Sequence, residues 1–361
     1  MLYHLLYPLS EYISGFNLFK YITFRMAYAT VTAMLISFIF GNLFIELLKR
    51  YQVKENIRQD GPQSHLAKEG TPTMGGLLIL ISIVIPTLFW ADLGNRYVQL
   101  MLLVTIWMGG LGFMDDYLKA KKKQRKGLVA RKKFVGQVLI GLILGILLYF
   151  FPPDQNFTTA TDLPFFKNYY LDFDIFYIIF VILVITGASN AVNLTDGLDG
   201  LAIGLVGICA LAFAMLCYIT GRVDFSGYLN IQYLPGAGEL AVYCGAMLGA
   251  CLGFLWFNAN PARVFMGDTG ALALGGALGA LALLVKKEIL LVIVGGVFVL
   301  EAASVIIQVL YFRATGKRIF KMAPLHHHFE LMGWKEQQVV VRFWIGGVIF
   351  ALLTLSTLKI R

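Results

Sequence analysis

The chain has 361 residues; 58% are hydrophobic, 14% are charged, and the mean hydropathy is +0.73. No water-soluble globular domain of this length has that balance, and repeated apolar stretches of about 20 residues read as membrane-spanning helices. The net charge of +9 lies mainly in connections between those stretches, which argues against a nucleic-acid-binding protein.

In chain order, the aromatic opening segment YPLSEYISGFNLFKYITF reads as an interfacial helix or anchor on the outer side. Ten candidate spans follow, at 24–48, 73–90, 97–115, 134–151, 173–187, 198–220, 240–257, 269–285, 289–312 and 339–358. They take up about 200 residues. Only short connections remain, so 1–361 is expected to be a single all-α polytopic membrane domain. No small-residue cleavage site follows a short apolar core near the start, so span one is expected to be retained. Cys209, Cys217, Cys244 and Cys251 fall inside spans and form no C-x-x-C pair, the pattern of free thiols packed among helices. Gly-rich stretches such as GGALGAL and Gly295–Gly296 permit close helix contacts within or between protomers, and a homodimer is one assembly they allow.

Charge sets the orientation. Connections after odd-numbered spans hold Lys49, Arg50, Lys54, Arg58 and Lys68, then KAKKKQRKGLVARKK, then Arg313, Lys317, Arg318, Lys321 and Lys335. Connections after even-numbered spans hold only Arg96, Lys167, Arg222, Lys286 and Lys287. The positive-inside rule then predicts cytoplasmic odd connections and two periplasmic termini. Most of the central basic cluster reads as topogenic charge beside anionic lipid; attraction of an anionic substrate is its second use.

The polar residues follow the same parity. SHLAKEGTPTMGG follows span one, GFMDDYLKAKKK closes span three, NAVNLTDGLDG follows span five, WFNANPARVFMGDTG follows span seven and KMAPLHHHFE follows span nine. The even connections, ADLGNR and KKE among them, read as short polar turns. Five clusters on one side are expected to converge on one cytoplasmic site.

Asp115 and Asp116 stand at the end of span three, where the helix dipole disfavours carboxylates. Lys119 lies one turn on; a local ion pair explains one aspartate well and two poorly. Paired carboxylates serve metal binding and acid/base chemistry. Asp196 and Asp199 would share a face on a helical turn and repel unless a cation or donor-rich ligand lies between them. Read structurally, they cap and turn the chain into a helix beginning near Leu198. Asp268 opens span eight and alone reads as an N-cap, while Asn258 and Asn260 enrich the preceding loop in oxygen ligands and donors. His326, His327 and His328 cannot all point one way, because helix neighbours diverge by about 100°. Contact with phosphate or sugar oxygens suits them better than a structural zinc. Glu301 lies within span nine with Ser304 and Gln308 on its face. An intramembrane carboxylate is a functional candidate by default; a protonated or hydrogen-bonded Glu packed inside the bundle is the alternative.

Carboxylates, amides, cations and imidazoles on one face suit Mg²⁺ and phosphate, since Mg²⁺ takes one or two protein carboxylates and further ligands from phosphate. No G-x-x-x-x-G-K-[ST] loop is present, against a P-loop ATPase. Together NAVNLTDGLDGLA, MDDY, VFMGDTGALALGG and MAPLHHHFE resemble the motifs of the polyprenyl-phosphate N-acetylhexosamine-1-phosphate transferases. GPQSHLAKEGTPTMGG and the triple-His loop resemble their bacterial phospho-N-acetylmuramoyl-pentapeptide-transferase branch. The resemblance covers essentially the whole chain, with no departure at a motif position. It implies ten helices in the bacterial inner membrane, a cytoplasmic active site and Mg²⁺. The implied reaction moves phospho-MurNAc-pentapeptide from UDP-MurNAc-pentapeptide to undecaprenyl phosphate, giving lipid I and UMP in peptidoglycan synthesis. The resemblance implies Asp268 as leading metal ligand and Asp115 and Asp116 as further catalytic carboxylates. It places Asn193, Asp196 and Asp199 on the nucleoside side, with Phe265 facing uracil. Lys68, Thr73, Lys119, Lys123 and the histidines would meet phosphate or sugar, with Asn258 and Gln308 completing the substrate-binding set. A sister enzyme using UDP-N-acetylglucosamine is the near alternative. A secondary transporter is the distant one, disfavoured because no internal repeat is evident and Glu301 is its one candidate deep charge.

Overall fold

The computed structural model describes residues 1–51, 70–121, 127–166 and 169–359. The chain opens with α1 (Leu2–Leu6) and two 3₁₀ turns, then runs through α2 (Ile22–Arg50), α3 (Gly76–Trp90), α4 (Arg96–Lys121) and α5 (Ala130–Phe150). A small hairpin follows, β1 (Ala160–Asp162) antiparallel to β2 (Tyr170–Asp172), with Thr161 opposite Leu171. Next come α6 (Tyr177–Thr195), α7 (Leu201–Thr220), α8 (Val223–Leu229), α9 (Leu240–Asn258) and α10 (Gly267–Leu284). The chain ends with α11 (Glu288–Val294), α12 (Gly296–Thr315), α13 (Leu325–Leu331) and α14 (Glu336–Thr357). Among the described residues, nine helices are long and apolar enough to cross a membrane.

The expected second span differs. α3 has 15 residues, about 22 Å of helix against a hydrocarbon core of about 30 Å. It starts at Gly76 rather than Thr73 because Met74 takes a φ of 73°, outside the right-handed helical region. Span five runs on to Thr195, eight residues beyond its expected end at Gly187, and span nine is broken at Gly295 into α11 and α12. The hairpin was not expected; its short strands carry no long alternating pattern.

The bundle is organised around α10, which is buried along almost its whole length. Its sequence, GDTGALALGGALGALALL, presents little side chain, so neighbours approach at backbone distance. A methyl group on Gly112 of α4 would lie 2.2 Å from the carbonyl oxygen of Asp268, and one on Gly76 would lie 2.1 Å from the Gly270 nitrogen. α4, α6 and α3 pack directly on α10, while α9 packs between α2 and α7. The four cysteines are free and buried.

The even connections are more than polar turns, which corrects the sequence expectation. Beyond the C-terminus of α10, Lys286, Lys287, Glu288 and Asp162 are all buried. Lys287 pairs with Asp162 of the hairpin, and the Lys286 ammonium lies 3.0 Å from Glu288 and 3.9 Å from the centre of the Tyr177 ring. Burial pulls the Lys286 ammonium below the ordinary lysine range, opposed by Glu288. Cations just past a helix C-terminus also meet its negative dipole end favourably. At the ADLGNR turn, Arg25 of α2 makes a two-pronged bond to Glu239, whose carboxylate also accepts the Asp92 N–H at 3.1 Å. The Lys287–Asp162 and Arg25–Glu239 pairs are concealed in the sequence because their partners lie 125 and 214 residues apart.

Candidate active site

At the other end of α10, three carboxylates meet. One oxygen each of Asp115, Asp116 and Asp268 lies within 4.8 Å of the others, and all three residues are buried. Their local environments differ, and the difference assigns their roles.

Asp116 caps α10 from outside. Its Oδ1 accepts the Asp268 N–H at 3.1 Å; its Oδ2 accepts the Thr269 N–H at 2.8 Å and the Thr269 hydroxyl at 2.6 Å. The first turn of a helix has unpaired N–H groups and a positive dipole end, and a carboxylate satisfies both. Asp268 is therefore not the cap that the sequence suggested; it sits inside the first turn, and Asp116 from α4 does the capping. Likewise α4 continues to Lys121, so Asp115 and Asp116 are not in its final turn.

Asp115 accepts the Leu128 N–H through Oδ1 and meets Lys119 at 2.8 Å through Oδ2. Asp268 pairs with Lys119 and, at 3.1 Å, with Lys133. The half-exposed Lys119 thus bridges two carboxylates from different helices rather than serving one neighbour, as a local ion pair would. Lys133 belongs to the first turn of α5, where the dipole disfavours a cation. That unfavourable placement is the one sequence signal that sets Lys133 apart from the topogenic charge with which it otherwise groups.

The chemistry of this donor set fits a divalent metal ion. It offers hard carboxylate oxygens from two helices, and two ammoniums already sit where the carboxylates demand positive charge. The Asp268 oxygens meet the two ammoniums and the neighbouring Asp115 carboxyl, whereas Asp116 is committed to α10. Asp268 is the carboxylate freest to ligate.

The remaining clusters lie alongside. The segment after the first connection docks on the start of α10: the Phe265 N–H donates to Pro72 at 2.8 Å, and the Gly75 and Gly76 N–H groups donate to Phe265 and Met266 at 2.9 and 2.8 Å. A methyl group on Gly267 would lie 2.7 Å from Asp116 Oδ2 and 3.0 Å from Thr73 Oγ1, so Thr73 stands beside the carboxylates. Phe265 is half-buried. Asp199 accepts from Asn260 at 3.2 Å and from the Ala262 N–H at 3.0 Å, tying the α6–α7 turn to the loop before Asp268. Asn258 clamps the same loop, accepting the Gly200 N–H at 3.1 Å and donating to Val264 at 2.9 Å. Asp196 ends α6 while Asp199 lies in the turn before α7, so the two do not share a helical face as the spacing suggested. Asn193 is half-buried. Glu336 of α14, not singled out in the sequence, accepts the Asp199 N–H at 2.9 Å.

The histidines diverge. His326 is fully buried against Glu301 and beside Gly197, His327 lies 3.0 Å from Glu330, and His328 Nδ1 accepts the Lys321 N–H at 3.1 Å. Gln308 holds its own loop, accepting the Ile319 and Phe320 N–H groups and donating to the Phe320 carbonyl. Lys68 and Lys123 lie outside the described residues. The five odd connections thus meet at one end of the bundle, through contacts that link residues up to 193 apart in sequence.

The family model for glycosyl transferase family 4 matches residues 98–286. The phospho-N-acetylmuramoyl-pentapeptide-transferase signature 1 matches residues 68–80, the stretch that carries Thr73. The chain is 56% identical over its whole length to the phospho-N-acetylmuramoyl-pentapeptide-transferase of Thermodesulfovibrio yellowstonii, itself covered completely. At the same complete coverage of both chains, it is 58% identical to that of Citrifermentans bemidjiense and 59% identical to that of Geobacter sp. strain M21. The chain therefore belongs to glycosyl transferase family 4 and, within it, to the phospho-N-acetylmuramoyl-pentapeptide-transferases.

Proposed function

We propose that the protein transfers phospho-MurNAc-pentapeptide from UDP-MurNAc-pentapeptide to undecaprenyl phosphate, forming lipid I and UMP. The observation that carries this reading is the meeting of Asp115, Asp116 and Asp268 with Lys119 and Lys133 at one end of a membrane bundle. A soluble nucleotide-sugar and a bilayer-anchored phosphate meet only at such an edge. The excess of Lys and Arg in the odd connections puts this end in the cytoplasm and both termini in the periplasm of the bacterial inner membrane.

Asp268, assisted by Asp115, would hold Mg²⁺; bound there, it supplies neutralisation of charge on the diphosphate and the departing UMP. Lys119 and Lys133 bring further positive charge to the same phosphate oxygens. Asp116 holds the first turn of α10, and with it Asp268, in position. Asn193, Asp196, Asp199 and Phe265 receive the nucleoside; Thr73, Lys68, Lys123, Asn258, Gln308 and the histidines surround phosphate and sugar. The lipid phosphate has a second pKa of about 6, so it is largely dianionic at neutral pH and needs little help from a base. Its oxygen attacks the sugar-bearing phosphorus directly, and the bond to the UMP oxygen breaks. The test is UMP release from UDP-MurNAc-pentapeptide with and without undecaprenyl phosphate, beside UDP-N-acetylglucosamine as alternative donor. Acceptor-dependent release from the MurNAc donor alone is expected. Release without acceptor would replace direct attack by a covalent aspartyl route, and preference for the GlcNAc donor would overturn the assignment.

A further inference from the structure

Glu336 and Gln337 open α14 and bind two other stretches of the chain, contacts that the transfer chemistry described above does not use. An acidic residue in the first turn of a helix meets the positive dipole end favourably, and that alone would account for Glu336. Its Oε1, however, reaches 137 positions back to accept the Asp199 N–H at 2.9 Å. Its neighbour Gln337 donates from Nε2 to Asn260 Oδ1 at 3.2 Å. Asn260 in turn donates to Asp199 Oδ2 at 3.2 Å, and the same oxygen accepts the Ala262 N–H at 3.0 Å. The bonds close a triangle between the first turn of α14, the α6–α7 turn and the α9–α10 loop. Asp196 lies three residues before Asp199, and Phe265 three residues after Ala262. The triangle therefore joins the two stretches that carry the nucleoside side of the site.

Of its three corners, α14 is the rigid one. Trp344 of α14 packs so closely on α7 that a methyl group on Gly204 would lie 2.3 Å from its ring, and its indole N–H meets the Leu201 carbonyl at 3.4 Å. Val339, one turn into α14, is completely buried. We infer that Glu336 and Gln337 are positioning residues for the donor substrate, holding the α6–α7 turn and the α9–α10 loop at the separation its nucleoside requires. This rests on the transferase reading and deepens its nucleoside side. Neither residue touches a reacting atom. Turn and loop backbone drifts unless its polar groups are met, and Asp199 is buried, so its N–H has little water to turn to. The carboxylate cluster is held separately, because Asp116 of α4 caps α10 without help from α14. Loss of the α14 contacts should therefore fall on donor binding and spare both the chemical step and the lipid acceptor.

The experiment is steady-state kinetics in both substrates, with calorimetric binding of UMP as a readout free of turnover. Glu336→Ala leaves the Asp199 N–H unmet. It should raise the donor KM about tenfold and weaken UMP binding equally, with kcat and the acceptor KM changed less than about twofold. Glu336→Gln keeps an acceptor oxygen and should restore wild-type values. Gln337→Ala removes an exposed bond and should raise the donor KM about threefold, which keeps the inference open to refutation should Glu336→Ala not fold. An unchanged donor KM in Gln337→Ala or in folded Glu336→Ala would overturn the inference. So would kcat and both KM values moving together, or Glu336→Gln as impaired as Glu336→Ala. Acceptor-dependent UMP release by the wild type decides the transferase reading first, and the ratios of variant to wild type decide this one.

Discussion

Asp116→Asn and Asp268→Asn remove neighbouring carboxylates with different jobs, and the pair of variants separates positioning from ligation. Asp116 accepts three hydrogen bonds from the first turn of α10. An asparagine keeps one acceptor oxygen, loses the charge and turns an NH₂ group toward donors. Hydrogen bonds to a carboxylate contribute about 1.5–3 kcal/mol each, and a charge at a helix terminus contributes up to about 2 kcal/mol. The loss is then about 3–5 kcal/mol, which lowers the unfolding midpoint in detergent by about 5–10 °C. Asp268 bonds to Lys119 and Lys133, whose side chains are 44% and 16% exposed and can turn toward water. Its neutralisation should move the midpoint by no more than about 2–4 °C while reducing transfer about a thousandfold or more. Asp116→Asn should also lose most of its activity, through displacement of Asp268. Differential scanning fluorimetry of both variants with a UMP-release assay decides the matter. A wild-type midpoint for Asp116→Asn, or an equal fall in both, would refute the division of labour.

Lys133→Met should lower UMP release about 10- to 100-fold with the fold intact; an unchanged rate would remove Lys133 from the site. Chelation of divalent ions should stop transfer, and added Mg²⁺ should restore it; a rate indifferent to chelator would end the metal account. Lys287→Met withdraws the counter-charge of buried Asp162 at the far end of α10 and should destabilise the protein by about 3–5 kcal/mol. Specific activity of the folded fraction should persist, because the network is remote from the carboxylates; an unaltered midpoint would contradict the burial of that pair.

Much of this arrangement was legible in the sequence because the bilayer allows few solutions. Apolar runs with no water to satisfy a bare backbone must be helices, and the parity of the polar clusters implies their convergence. Asp115, Asp116 and Asp268 were identifiable because carboxylates at a membrane edge are costly without compensation. What stayed hidden was which atoms supply that compensation. The cap on α10 comes from α4, 152 positions away. Lys133 looked like one more topogenic cation, and Glu301 like an isolated charge, because their partners lie on other helices. The buried Lys286–Glu288 and Lys287–Asp162 pairs are hidden for a related reason: a polar triplet between two apolar runs looks like a solvated turn, and only the hairpin and Tyr177 of α6 packing over it take it out of water. The break at Gly295 was visible as a Gly pair, yet span nine read as continuous because helix packing explains such pairs equally well.

The most direct test of the central claim, that Asp115, Asp116 and Asp268 form one site for a divalent ion, is binding of Mn²⁺ followed by electron paramagnetic resonance in detergent-solubilised protein. Wild type should bind one saturable equivalent, displaced by Mg²⁺, and Asp268→Asn should lose it while retaining its fold. Wild-type binding in Asp268→Asn, or no binding in active wild-type protein, would contradict the account.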